Sequence, residues 1–278
     1  MDDGAPLSPR HAPWEEAADF RIGLKPIAEA DWLEGGEADP APRKDTLLAL
    51  DPTRVWAETS GSRPAQAEAL GLVERSLGGA VDSLGHPPLW AAARRVSDDL
   101  CLMERRDGAW RLSALALCAG SYFRADEVIG RSLAELHGPV TGFADRFLGR
   151  VERIFDGLRP DVVLERRNWT LLNSGDLSTP DPAPIRARIS GIAPGEAGRV
   201  LHLRVERQTL RRLPICGGAL FTIRVWLSPL ENLRRDPARL AAFASAWASA
   251  PEAFRAYKRL DLYDDLVAGF LLSSAPSE

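Results

Sequence analysis

His137, in the run Leu136-His137-Gly138-Pro139-Val140, closes a helical stretch, where a ring nitrogen can be offered to a metal while Gly138-Pro139 fixes the turn. A histidine there can equally serve the helix macrodipole, and position alone favours that plainer role. His202, on a strand-like segment, is the other candidate for a buried ligand. His11 and His86 fall in a proline-rich lead-in and a Gly/Pro loop, and read as surface residues. The sequence contains no metal-cage spacing, no Gly-x-Ser-x-Gly elbow and no phosphate-cradling glycine loop. Cys101, Cys118 and Cys216 are odd in number and far apart, so they form neither a disulfide framework nor an iron–sulfur run.

Three strand-like segments carry bulky polar groups on one side. Arg166, Asn168 and Thr170 share a side of the first, His202, Arg204 and Glu206 of the second, and Thr222, Arg224 and Trp226 of the third. Periodicity alone makes these solvated outer faces. If helices cover both sides of the sheet, the same groups line an enclosed space and must pair with one another or with a ligand. Such a wall suits an anionic cofactor edge beside a small cationic substrate.

The elements that would hold these residues follow from the pattern of the chain. Residues 1–18 read as a disordered lead-in and 19–97 as a largely helical extension, with helical periodicity over Pro64 to Leu77 and again over Pro88 to Val96. Strands are expected at Leu100–Arg105 and Trp110–Leu117, joined at Asp107-Gly108, a tight-turn signal. Residues 124–158 return to helix, broken near Gly138-Pro139. Strands follow at Val162–Leu172, Arg199–Glu206 and Ala219–Leu227, and helices close the chain. The expected fold is α+β: a PAS-like, five-stranded antiparallel sheet over 98–230 with helices around it, and a helical extension over 231–278.

Composition bounds the rest. Hydrophobic residues make up 45% and charged residues 27%, as in ordinary globular chains, and 278 residues can bury a large core without staples. The formal charge of −4 gives no general affinity for nucleic acid or anionic membrane. Only three basic residues are lysine and the other 32 are arginine, an excess that coding bias in a GC-rich genome explains first, although the planar arginine fork also suits carboxylates such as propionates. Without a leader-like start or an apolar run near the ~20 residues a membrane helix needs, a cytoplasmic address is expected.

Several segments, in order, resemble the haem-dependent oxidative N-demethylase family, whose catalytic subunit has a PAS-like haem domain. They are Phe20 to Pro26 (FRIGLKP) with Asp31-Trp32-Leu33, then Trp110-Arg111-Leu112 leading to Leu117-Cys118, then Phe123-Arg124 with Glu127. Leu136 to Val140, Arg166-Arg167-Asn168-Trp169, the long run Arg204 to Pro214 (RVERQTLRRLP) and Phe221-Thr222-Ile223-Arg224 complete the set. The resemblance implies haem b, dioxygen, and oxidative removal of a methyl group from a small secondary amine of the dimethylamine kind, with release of formaldehyde. It implies His137 as the axial iron ligand. Glu206, Arg207 and Arg224 would be catalytic, with Glu206 pairing an ammonium group. Arg124, Arg166, Asn168, Arg211 and Thr222 would bind the cofactor. Ala119-Gly120-Ser121-Tyr122, Val128 and Thr141 depart from the family pattern.

The chain has no dinucleotide fingerprint, so a separate flavin or iron–sulfur reductase is the expected electron donor. Two other functions fit the same residues. A haem sensor would bind gas without turnover, and a cofactor-free interaction module would leave Arg166, Arg204 and Arg224 exposed.

Overall fold

Alternation with a period of two sets the sheet. In the computed structural model, which describes residues 11–16, 22–138 and 143–273, seven strands form one antiparallel sheet. They are β1 (Lys25–Ile27), β2 (Trp56–Glu58), β3 (Asp99–Arg106), β4 (Ala109–Ala116), β5 (Val163–Leu172), β6 (His202–Arg212) and β7 (Ala219–Pro229). Their order across the sheet is β1-β5-β6-β7-β3-β4-β2. The hairpin between β3 and β4 turns on Asp107 and Gly108, both with positive φ (50° and 78°). A two-residue primed turn requires that backbone.

All five expected strands are present, and two short ones extend the edges. Lys25 pairs with Glu165 and Ile27 with Val163, while Trp56 pairs with Ala116 and Glu58 with Ala114. Three residues are too few for alternation to be read in sequence, and Pro26 is tolerated at an edge, where its missing N–H breaks no ladder. The strand expected over Arg199–Glu206 is displaced. Residues Ala197–Val200 close a helical turn, and the ladder runs on to Arg212. Of the expected 124–158 helix, the described parts are short: Ala125–Val128, Leu133–Leu136, a π-helical turn at Ala144–Leu148, and Gly149–Asp156.

The chain divides into two compact units. One comprises Ile22–Arg166 and Arg207–Arg224. Its strand residues alternate between two cores. Leu100, Leu102, Ala114, Ala116 and Leu220 pack with Trp32, Val55 and the helices Arg63–Leu77 and Pro88–Ala93. Cys101, Met103, Leu112, Leu115 and Leu210 pack with Leu133, Phe155 and Leu158. The register explains the division, because Leu100 stands opposite Thr222 and Ala116, and Cys101 opposite Phe221 and Leu115. Neighbours along a strand therefore face opposite sides, and the register shift between Leu102 and Met103 moves Leu112 to the side opposite Ala114.

The other unit comprises Met1–Arg21, Arg167–Glu206 and Val225–Glu278. Its core gathers Trp169, Leu171, Leu203 and Val205 with Phe243, Trp247, Tyr263 and Phe270 of the closing helices. Here the lead-in reading is corrected: Trp14 joins this core at 2% exposure, and His11 is buried against Trp226, ring centroids 4.9 Å apart. A tryptophan and a histidine among the prolines supply enough apolar surface to dock this stretch. The remainder of the lead-in, Phe20-Arg21, and Pro139-Val140-Thr141 lie outside the described residues. Among the described residues, no helix is long and apolar enough to cross a membrane.

Candidate functional site

His137 caps the short helix Leu133–Leu136, which begins with a capping box between Ser132 and Glu135. Its Nδ1 lies 2.8 Å from the Leu133 carbonyl, which also accepts the His137 backbone N–H at 3.2 Å. That bond is the helix-end role weighed above, and it also fixes the tautomer. With the proton on Nδ1, the lone pair stays on Nε2, as a metal-ligating histidine requires. The ring stacks on Phe143, centroids 4.1 Å apart and planes within 6°. Burial, seconded by the charge of Arg166, lowers the imidazole below its ordinary range, although the Leu133 carbonyl acts the other way. Burial thus favours the neutral ring.

Arg207 and Arg211 of the same unit are engaged by protein groups. Arg207, 1% exposed, donates to the Glu165 carboxylate, to the Trp32 carbonyl at 2.8 Å and to the Asp31 carbonyl, and lies 3.5 Å from Glu34. Arg211 pairs with Glu29 and lies over the Trp32 ring, 4.6 Å from its centroid. The Trp32 indole N–H donates to Thr209 Oγ1 at 3.0 Å, and the Thr209 and Thr222 hydroxyls are 2.7 Å apart. These residues thus fasten the 29–34 segment to the strands. Arg224 is buried beside Gly36, where an added Cβ would come within 2.4 Å of its guanidinium and of Ser97 Oγ.

Sequence reasoning missed the acids and the lysine of this cluster. Asp98 is fully buried, and burial pushes its carboxyl up to about 6 against the charges of Arg224, Lys44 and Arg207. Lys44, also fully buried, donates to the Asp98 carbonyl at 2.6 Å, and burial lowers its amine. Asp99 accepts from the backbone N–H groups of Cys118 (2.6 Å) and Ala119 (2.9 Å), fixing the chain as it leaves β4. Lys44 is one of three lysines in the chain, but a lysine on a helix gives no sign of burial. Asp98-Asp99 reads as a polar strand start.

The structure therefore separates the sequence-predicted residues. Arg207 and Arg211 share a side of β6 with Thr209, which meets Thr222 of β7, the side of Leu100 and Leu220. Arg166 shares the opposite side with Leu164, which packs in the core of Cys101 and Leu133; His137 is its neighbour in charge. Arg124 is one-third exposed and bonds Asp126, Asp51 and Thr53. Val128, a departure from the family pattern, is buried in that same apolar core.

In the other unit, Glu206 is 3.1 Å from Arg204, itself anchored to the Leu177 carbonyl, and Asn168 is half-buried. His202, the alternative ligand, directs Nδ1 to the Val200 carbonyl at 3.0 Å and lines an open cleft of about 500 Å³ with Asn173, Asp176, Arg188 and Glu196. His137 is distinguished from it by the parallel stack on Phe143.

Compared with known families, residues 66–268 match the family model described as haem-dependent oxidative N-demethylase, alpha subunit-like. The segments Phe20–Pro26 and Asp31–Leu33 precede the matched residues.

Proposed function

Because the chain belongs to the haem-dependent oxidative N-demethylase, alpha subunit-like family, we propose that it demethylates a small secondary amine of the dimethylamine kind, as the haem b subunit of an oxygenase. The overall change is balanced when the N–CH3 group and dioxygen take two electrons and two protons to give N–H, formaldehyde and water. The two electrons come from a separate flavin or iron–sulfur reductase, since no dinucleotide fingerprint occurs in the sequence.

One observation carries the reading: His137 is half-buried and committed through Nδ1 to a backbone carbonyl, which turns Nε2 into the nitrogen offered to iron. The residues around it fit haem. Arg166, whose charge reaches the ring, has the fork that binds a propionate. Haem, when bound, supplies the oxidation at the methyl carbon. Glu206 is the carboxylate we assign to the ammonium group, held by Arg204 at 3.1 Å. Arg207, Arg211, Thr222 and Arg224 keep the platform rigid. We read the inner strands as PAS-like, because the five taken in chain order stand 2-1-5-4-3 across the sheet.

The test is an absorption spectrum of the haem-reconstituted chain beside His137→Ala. A strong haem band that is lost or shifted in the variant is expected. An unchanged band moves the ligand to His202, and a parent that stays colourless after reconstitution overturns the oxygenase reading.

A further inference from the structure

We propose that Phe143 is the positioning residue for the His137 imidazole, setting the plane in which the ring presents Nε2. The inference rests on His137 as the iron ligand. A single hydrogen bond from Nδ1 to the Leu133 carbonyl leaves the ring able to rotate about that axis. The parallel ring of Phe143 at 4.1 Å removes that freedom, and a fixed ring plane is what a metal ligand needs from its surroundings.

The backbone around Phe143 is built for this contact. In an uninterrupted α-helix, Phe143, Phe147, Val151 and Phe155 would form one stripe, four residues apart. Val151 and Phe155 do pack into the core below the sheet. Between them and Phe143 lies the π-helical turn Ala144–Leu148. One extra residue in a turn rotates what precedes it by roughly 100°. Phe143 is thereby taken off the core stripe and lies against His137, still buried at 9% exposure. π-helical insertions concentrate at functional sites, and this one has a stated mechanical effect.

The experiment uses the full chain in two states. In the haem-free protein, NMR of histidine-labelled material separates four histidines, and His137 is identified by its loss in His137→Ala. Its ring protons are expected upfield of the other histidines because of the Phe143 ring current. That displacement should collapse in Phe143→Leu and persist in Phe143→Tyr. In the haem-loaded protein, Phe143→Leu should bind haem at parent stoichiometry, release it about tenfold faster to a scavenger protein, and shift the iron–imidazole stretching band. Phe143→Tyr should match the parent. Phe143→Met replaces the leucine variant if the latter fails to fold, and the parent ring shift needs no substitution. Parent-like ring shifts and haem release in Phe143→Leu overturn the proposal. A haem spectrum indifferent to His137→Ala overturns the ligand reading instead, and leaves the stack measured by itself.

Discussion

At the scale of single residues, several buried charges hold the chain together. Arg207 meets Glu165, Glu34 and two carbonyls at 1% exposure. Removing its side chain strands a nearly buried carboxylate, so Arg207→Ala should lose about 3–5 kcal/mol in chemical denaturation. Arg166→Ala should lose haem affinity, read by titration of the haem absorption band. Asp98 behaves oppositely to a salt-bridged acid. Its carboxyl is raised from 3.8 to about 6 by burial, so the native state binds the proton more tightly than the unfolded chain. Its stabilising contribution is complete below about pH 4 and is lost as pH rises through 6. Denaturation from pH 4 to 6.5 should show the parent losing up to about 3 kcal/mol relative to Asp98→Asn. Parallel pH profiles for the two proteins would show that Asp98 titrates normally.

At the scale of elements, strand alternation decides which arginine does what. Arg207, Thr209 and Arg211 fall on the side covered by Trp32, whereas Glu206 and Gln208 face away from it. In the sequence they form one arginine-rich motif, and one-residue spacing is what splits it. The segment covering Trp32 continues to Gly36, whose backbone lies directly on the Arg224 guanidinium. Gly36→Ala places a methyl carbon 2.4 Å from Arg224 and Ser97, and the guanidinium must move from beside Asp98. A loss of about 1–3 kcal/mol is expected, read as a lowered melting temperature. A melting temperature equal to the parent's would mean that the segment yields without cost.

At the scale of the whole molecule, each unit is assembled from stretches distant in sequence. Trp14 is the clearest instance: its ring meets Trp169 and Phe243 edge-on at 6.3 and 6.4 Å, and its N–H reaches the Arg239 carbonyl at 3.3 Å. Trp14→Ala should destabilise its unit by about 3–5 kcal/mol, measured as earlier loss of amide protection in Pro237–Ser249 than in Asp99–Arg106. Equal protection in the variant and the parent would place Trp14 outside the cooperative core.

The sequence by itself determined what depends on local chemistry. Asp107-Gly108 dictated a hairpin because both residues accept positive φ. The alternation from Ala219 onward dictated β7, and the ordered motif segments carried the family. It could not reveal the three-residue edge strands, which exist only because β4 and β5 offer free ladders to pair with. Nor could it assign faces, since burial of Lys44 and Asp98 depends on what the fold lays over them. Only the tertiary structure decided that His137 is held by Leu133 and Phe143 while Arg207 and Arg211 clamp Trp32. Contacts across 175 residues, such as Arg207 to Trp32, leave no trace in local spacing.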